Sequence, residues 1–242
     1  MPEIRELIRE GRGKRVYATD DPDLAVVYYK DEAMAYHGLK RGRILGKGEI
    51  NNAICQHLFT LLQGQGVETH FVRQLDARQS LVYRCDMMCF AVQVRNRVAG
   101  SLHARTRLPV GMKLDQPVIE FVLKESDMED PLVNHTHLLA MKAATIEEIE
   151  EVRRISKRIN EIWTAYMSEI NIELIDFRIE FGRYKGKILL ADELSPDKAR
   201  FWDSRTHEPL DIDRFRRDLG DVKEAYQEVL RRMMGDQLTT NP

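Results

Sequence analysis

The sequence predicts an α+β fold built mainly of antiparallel sheets with flanking helices. Short runs of period-two alternation crowd the first half of the chain around a single helical stretch. Two longer stretches with helical periodicity flank another strand pair in the second half, and no regular strand–helix–strand alternation links them. The chain has 242 residues, 43% hydrophobic and 31% charged, enough for one large core or two modest ones. A division near residue 85 is expected, separating 1–85 from 86–242, although no flexible linker marks it.

The elements follow in order. "KRVYATDDPDLAVVYYKD" reads as two strands joined at Asp20-Asp21-Pro22-Asp23, residues that favour turns. Residues 49–65 read as a helix, because Ile50, Ile54, Leu58 and Leu61 recur at spacings of four and three. "THFVRQL" and "SLVYRCDMM" form a second strand pair, "CFAVQVRNRV" a strand ending at Gly100-Ser101, and "VIEFVLK" another. Thr145 and Glu148 make a capping box ahead of the stripe Ile146, Ile149, Val152, Ile155, Ile159, Ile162, Tyr166 and Ile170, which predicts a long helix. "LIDFRIEF" then reads as a strand, "GRYKG" as a turn and "KILLADE" as the hairpin partner. A last helix is expected from about Asp213 to Met234, with Phe215, Leu219, Val222, Tyr226 and Val229 inward.

Composition excludes several function classes. A net charge of −2 offers no global attraction to nucleic acid or an anionic membrane, and no basic stripe is interleaved with aromatics. No apolar run approaches the roughly 18 residues needed to span a bilayer. "MPEIRELIRE" lacks the apolar centre of a signal peptide. Cys55, Cys85 and Cys89 are few and odd in number, which fits reduced thiols in a cytoplasmic protein. Cys85 and Cys89 have no paired Cys/His motif for zinc.

The chemistry concentrates in "ELIDFRIEFG", residues 173–182. Side chains on a strand alternate faces, so Ile175, Phe177, Ile179 and Phe181 line one face and Asp176, Arg178 and Glu180 the other. If "KILLADE" folds back through the five-residue turn, Asp192 comes close to Asp176, and like charges opposed on a sheet are destabilising. Arg178 or a divalent cation can offset that repulsion. Mg²⁺ takes one or two carboxylates and fills its octahedron with water and nucleotide phosphates, and Glu180 and Asp192 are the candidate ligands. A solvated strand face with a structural ion-pair network is the alternative reading of the same row. "ADELSPDKARFWD", residues 191–203, reads as a loop just past a strand end, where functional groups gather. It carries Arg200 beside Phe201 and Trp202, a stiffened guanidinium suited to a phosphate or carboxylate. "VRNRVAGSLHAR" offers Arg95, Ser101 and Arg105 around small residues that bare backbone N–H groups. "GRGKRVY" lacks Walker spacing, yet a glycine-rich turn carrying Lys14 can fold over phosphates. "RGRILGKGE" brings glycines and cations to a helix N-terminus, itself an anion site.

Taken together these blocks resemble the SAICAR synthetase family. The resemblance spans nearly the whole chain and rests on the order and spacing of "GKGEINN", "GVETHF", "VRNRVAGS", "DPLVN", "LIDFRIEFG" and "DELSPDKARFWD". It implies an ATP-dependent ligase of de novo purine biosynthesis. Such an enzyme joins L-aspartate to the carboxylate of carboxyaminoimidazole ribonucleotide through an acyl phosphate, giving SAICAR, ADP and phosphate. It also implies a two-domain arrangement: a β-rich nucleotide flap domain over 1–85, a domain carrying the metal and acceptor site over 86–242, and ATP in the cleft between them. On that resemblance Lys14 lies over the ATP phosphates, Asp86 and Met87 lie near adenine, and Lys124 approaches the phosphates. Glu180 and Asp192 hold Mg²⁺. Arg95, Ser101 and Arg200 bind the ribonucleotide, chiefly its phosphate, with Asp130 and Asp197 as further polar contacts. Asp176 and Arg178 face the acceptor's imidazole and carboxylate end. ATP and Mg²⁺ are the implied cofactors and the small-molecule substrates the implied partners, with no nucleic acid or membrane. A homo-oligomer such as a dimer is in keeping with the family.

The chain departs from the family pattern at several positions. Arg178 stands where Lys is usual, and Arg12 where Lys is common. "DEAMAYHG" introduces Met34 and His37, and His135 replaces a common acid. His135 and His137 raise a second, metal-pair reading of their loop. These changes leave open a divergent paralogue that binds nucleotide or ribonucleotide without turnover, or a small-molecule kinase using the same cleft.

Overall fold

The computed structural model describes residues 2–35 and 38–235; the departure at His37 lies outside them. The chain opens with β1 (Ile4–Glu10), β2 (Lys14–Thr19), β3 (Leu24–Tyr29), a hairpin of β4 (Glu32–Ala35) and β5 (Lys40–Arg43), α1 (Lys47–Gly64), β6 (Phe71–Gln74) and β7 (Gln79–Tyr83). It continues with β8 (Asp86–Arg97), α2 (Gly100–Thr106), β9 (Lys113–Leu123), β10 (Leu132–Val133), α3 (His135–Ala140) and α4 (Ile146–Glu169). β11 (Ile172–Tyr184), β12 (Lys187–Ala191), β13 (Ala199–Asp203), α5 (Asp213–Arg216) and α6 (Val222–Met234) complete it.

Among the described residues, two large antiparallel sheets form beside the two-stranded β4–β5 pair. The first runs β1-β2-β3-β7-β6; the second runs β10-β9-β8-β11-β12, with β13 also paired to β11. The α+β expectation therefore holds. β7 ends at Tyr83 and β8 starts at Asp86, so the expected strand through "SLVYRCDMM" is broken at Arg84-Cys85 and its two parts join different sheets.

The apolar row of β11 is part of a core shared by both sheets. Phe177, Ile179 and Phe181 are buried in the core beneath α4, where the Trp163 ring lies 4.9 Å from Phe177 and 5.9 Å from Phe201. Ile175 is also buried, but it falls at a β-bulge between Leu174 and Asp176 and lies outside that cluster, so the expected alternation shifts there. Thr145 and Glu148 form the capping box, and Ile149, Val152, Ile159 and Ile162 are buried as the stripe requires. Ile146 is not; it sits exposed in the first turn. The expected last helix is two helices. Asp218, Gly220 and Asp221 all take positive φ and break it, and Leu219 is left exposed in the break. Tyr226 and Val229 on α6 are buried, as expected.

The first sheet is joined to α1 at close range. The Gly48 N–H donates to Asp31 Oδ1 at 3.0 Å, and a Cβ on Gly48 would stand 2.4 Å from the Tyr29 carbonyl oxygen. Gly64, near the other end of α1, has open space around it. Gly48→Ala is therefore expected to lower the unfolding free energy by about 1–3 kcal/mol through overpacking. Gly64→Ala should raise it by about 0.4–1 kcal/mol by restricting the unfolded chain. Urea unfolding of both variants checks this; equal effects would contradict the close packing of Gly48.

Candidate functional site

Strand register builds the site. β12 and β13 lie end to end along one edge of β11: β13 pairs from Ile172 to Phe177, β12 from Glu180 to Tyr184. The loop 192–198 opens between them, beside Arg178 and Glu180, and the Arg178 N–H donates to the Lys198 carbonyl at 2.8 Å. Two expectations are corrected here. The hairpin turn is not the five-residue "GRYKG" but Lys185-Gly186, both at positive φ as a type I′ turn requires. That register sets Ala191 opposite Glu180, so Asp192 joins Glu180 rather than Asp176. The segment 191–203 is also only partly loop, since residues 199–203 are β13.

The acidic end is held by lysines. Lys124 Nζ donates to Glu180 Oε2 at 2.8 Å. Lys198 Nζ lies 3.0 Å from Asp192 Oδ2 and 3.7 Å from Glu180 Oε1. Lys14, the first residue of β2 in the other sheet, pairs with Asp192 and reaches Glu193 Oε2 at 3.0 Å. Lys47, at the start of α1, is buried and pairs with Asp197. Asp197 also accepts from Asn51 Nδ2 at 2.8 Å and from the Tyr226 hydroxyl at 2.7 Å. Gly11, Arg12 and Gly13 form the turn between β1 and β2; a Cβ on Gly13 would lie 3.8 Å from Asp197 Oδ2. The glycine-rich turn thus covers this corner. Burial alone would raise the Asp192 carboxyl, yet the Lys14 and Lys198 ammonium groups outweigh it and hold the carboxyl well below its usual range. Asp197 is lowered in the same way by Lys47, against its burial.

The other end of the row is an arginine clamp. Arg95, Asp176 and Arg200 sit side by side on β8, β11 and β13. Arg200 Nη1 donates to both oxygens of Asp176, at 3.1 and 2.8 Å, and Arg95 Nη1 donates to Oδ2 at 3.3 Å. Arg95 also reaches Ser101 Oγ at 2.9 Å and Glu120 Oε2 at 2.7 Å. Gly100, at φ +49, brings the start of α2 so near that a Cβ would meet Arg200 Nη2 at 2.6 Å. Phe201 points to the opposite, buried face and does not stiffen Arg200; Asp176 and Asp213 hold it, with Asp213 Oδ2 accepting from Nε at 2.8 Å. Between the two ends, Arg178 Nη1 pairs with Asp130 Oδ2 at 3.1 Å.

Most expected site residues are brought together. Lys14, Lys124, Glu180, Asp192 and Asp197 meet at the acidic end, Arg95, Ser101, Asp176 and Arg200 at the clamp, and Arg178 with Asp130 between. Asp86 is exposed, with its carboxylate 3.9 Å from Arg183 Nη1, and Met87 stands opposite Gly182, beyond Glu180 along β11. Of the two histidines, His137 caps α3, its Nδ1 accepting from the Asn134 N–H at 3.2 Å, while His135 is the exposed first residue of that helix. No cluster of three or more His, Cys, Asp or Glu suited to a metal exists among the described residues. No helix of the described residues is long and apolar enough to cross a membrane.

Lys47, Asn51, Glu193, Lys198, Tyr226 and Asp213 are part of the site but were not singled out from sequence. Lys198 and Glu193 carried one usable signal, their place inside "DELSPDKAR". Tyr226 carried none, because its spacing reads simply as core. Two buried polar atoms, Arg178 Nε and Asn51 Oδ1, have no hydrogen-bond partner, one in each half of the site.

Comparisons with known proteins place the chain among relatives of one family. The family model described as SAICAR synthetase matches residues 7–233. A phosphoribosylaminoimidazole-succinocarboxamide synthase of Coprothermobacter proteolyticus is 50% identical over 229 residues, covering 94% of this chain and 97% of its own. One of Clostridium acetobutylicum is 46% identical over 233 residues, covering 96% and 99%. A crystal structure of such a synthase from Ehrlichia chaffeensis superposes with a TM-score of 0.93 at 36% identity, covering 95% of this chain and 98% of that one. A structure of SAICAR synthetase in complex with ADP gives a TM-score of 0.92 at 40% identity, with the same coverage.

Behind the clamp lies Asp211, fully buried, accepting from the Phe201 N–H at 2.9 Å and the Asp213 N–H at 2.7 Å. Burial, then the neighbouring Asp213 carboxylate, push it up to about 7 from an ordinary 3.8. The folded state therefore keeps a proton that the unfolded chain has released, and stability present at acid pH is lost as pH rises through about 7. The unfolding free energy of the parent protein minus that of Asp211→Asn should fall between about pH 4 and pH 8. A difference that stays flat in urea titrations would contradict the buried, neutral carboxyl.

Proposed function

The chain belongs to the SAICAR synthetase family, and we propose from that membership how its charged row divides the labour of the reaction. The protein is an ATP-dependent ligase that joins L-aspartate to the carboxylate of carboxyaminoimidazole ribonucleotide, giving SAICAR, ADP and phosphate in purine biosynthesis. We read the two sheets as domains divided near residue 85, with the nucleotide between them, Asp86 and Met87 toward adenine and Lys14 and Lys124 toward the phosphates. Arg95, Ser101 and Arg200 take the acceptor's phosphate.

The observation that carries this reading is the placement of both ends on one strand. Glu180, among the lysines, and Asp176, in the arginine clamp, are four residues apart on β11, about 13 Å at the rise of an extended strand. Arg178 lies midway with an unpaired Nε. That span suits a nucleotide tail at one end, an acceptor at the other, and the reacting carboxylate over Arg178.

A carboxylate resists attack by an amine because its charge is delocalised and repels the nucleophile. Transfer of the γ-phosphoryl breaks the bond to ADP and forms a P–O bond to that carboxylate. The aspartate amine then attacks the carbonyl carbon, the C–O bond to the phosphoryl breaks, and inorganic phosphate leaves. The protein's part is positioning and charge: Lys14 and Lys124 offset the moving phosphoryl's charge while Arg178, oriented by Asp130, holds the acceptor carboxylate. No nucleophilic side chain is required, and Cys55, nearest the loop, is buried with its thiol pushed up to about 12 by that burial.

Mg²⁺ fits the donor set. Glu180 and Asp192 flank one point now neutralised by lysine, and two carboxylates leave the remaining octahedral positions to water and phosphate oxygens. When bound there, the ion would neutralise phosphate charge. Its ligands would be those two residues.

Two experiments test the reading. With ¹⁸O in the acceptor carboxylate, the released phosphate should carry one labelled oxygen; unlabelled phosphate would overturn the acyl phosphate. Arg200→Ala should raise the acceptor KM about 10- to 100-fold while leaving the ATP KM nearly unchanged. Equal rises in both would remove Arg200 from the acceptor phosphate.

A further inference from the structure

Among the described residues, Lys198 is the cation that contacts both carboxylates at the acidic end of the row. Its Nζ lies 3.0 Å from Asp192 Oδ2 and 3.7 Å from Glu180 Oε1. Lys124 reaches Glu180, and Lys14 reaches Asp192 and Glu193, but neither bridges Glu180 and Asp192. Lys198 is also the most accessible of the three, with its side chain 27% exposed against 13% for Lys14 and 12% for Lys124. Its backbone is fixed: the N–H donates to the Ser195 carbonyl at 2.9 Å, and the carbonyl accepts from Arg178 at 2.8 Å. Only the four-carbon stem is free to swing.

A divalent ion ligated by both carboxylates must approach each oxygen to about 2.0–2.1 Å. The Lys198 ammonium occupies that same region, and two cations sharing it would repel. We propose that Lys198 is a displaceable counterion: it holds the seat between Glu180 and Asp192 in the nucleotide-free protein and must leave before a divalent cation enters. This rests on the metal reading above and goes beyond it. A lysine ammonium is a compact charge on a flexible stem, so incoming nucleotide phosphates offer it a new partner. Nucleotide and metal then favour one another, because each helps to vacate or fill the same seat, and that coupling is reciprocal. The nucleotide-free enzyme is thereby kept from loading metal on its own.

The test is binding of Mn²⁺ alone to the full chain without nucleotide, followed by the EPR signal of free Mn²⁺. Lys198→Met should tighten Mn²⁺ about tenfold, while Lys198→Arg stays within about twofold of the parent. Lys187→Met removes the same charge from an exposed pair with Glu68 and should leave affinity unchanged. Asp192→Asn separates the two claims. If it leaves Mn²⁺ affinity at the parental value, the metal seat itself is wrong. If it weakens Mn²⁺ while Lys198→Met binds no tighter than Lys187→Met, the seat stands and displacement by Lys198 is overturned.

Discussion

Four carboxylates crowd one part-buried corner of this molecule, and their repulsion is tolerable only because lysines from elsewhere in the chain meet them. Glu180, Asp192, Glu193 and Asp197 come from β11 and the loop after β12; Lys14 and Lys47 come from the first sheet and its helix. Breaking a buried pair by removing one partner typically costs about 3–5 kcal/mol, because a charge is left uncompensated. The same contacts therefore tie β2 and α1 to the loop after β12 and set the electrostatics of that corner. Ligand phosphates entering there would compete for lysines that are already in place, with little reorganisation left to make.

β11 organises the rest. It is long enough to pair with two successive strands along one edge, and the interval between those partners is where the loop 192–198 enters. One face of the strand buries aromatic and aliphatic side chains under α4, which fixes its position. The opposite face can then carry charge without moving. Asp176 is not a spare acid in this arrangement. With Arg95 on one side and Arg200 on the other, it aligns two guanidinium groups that would repel if unbridged. Asp213 and, behind it, Asp211 continue the chain of contacts into the core.

Local rules made much of this legible. The capping box at Thr145, most of the stripe along α4 and the alternation of β11 from Asp176 to Phe181 are decided within a few residues and stand as read; Ile146 and the bulge at Ile175 depart from that reading. The acids and the central arginine of the charged row were also visible, because alternation alone puts Asp176, Arg178 and Glu180 on one face. Which acid meets which was not. The pairing of β11 with β12 depends on whether Lys185-Gly186 or the longer "GRYKG" makes the turn, and that choice moves Asp192 from one end of the row to the other. The break at Asp218–Asp221 was missed because the inward spacing of α6 was extended back through a segment whose backbone turns left-handed. The partner that Lys47 and Tyr226 share was out of reach for another reason. Each acts on Asp197 across a long stretch of chain, and nothing near either residue announces its partner.

In the proposed function, acids from β11 and from the following loop share one divalent ion beside the nucleotide phosphates. Anomalous scattering from a crystal grown with Mn²⁺ and ADP tests it most directly. The account predicts a manganese peak between the Glu180 and Asp192 carboxylates, in contact with a phosphate oxygen of ADP. A peak held instead by Glu193 and Asp197, or by neither pair, would contradict it.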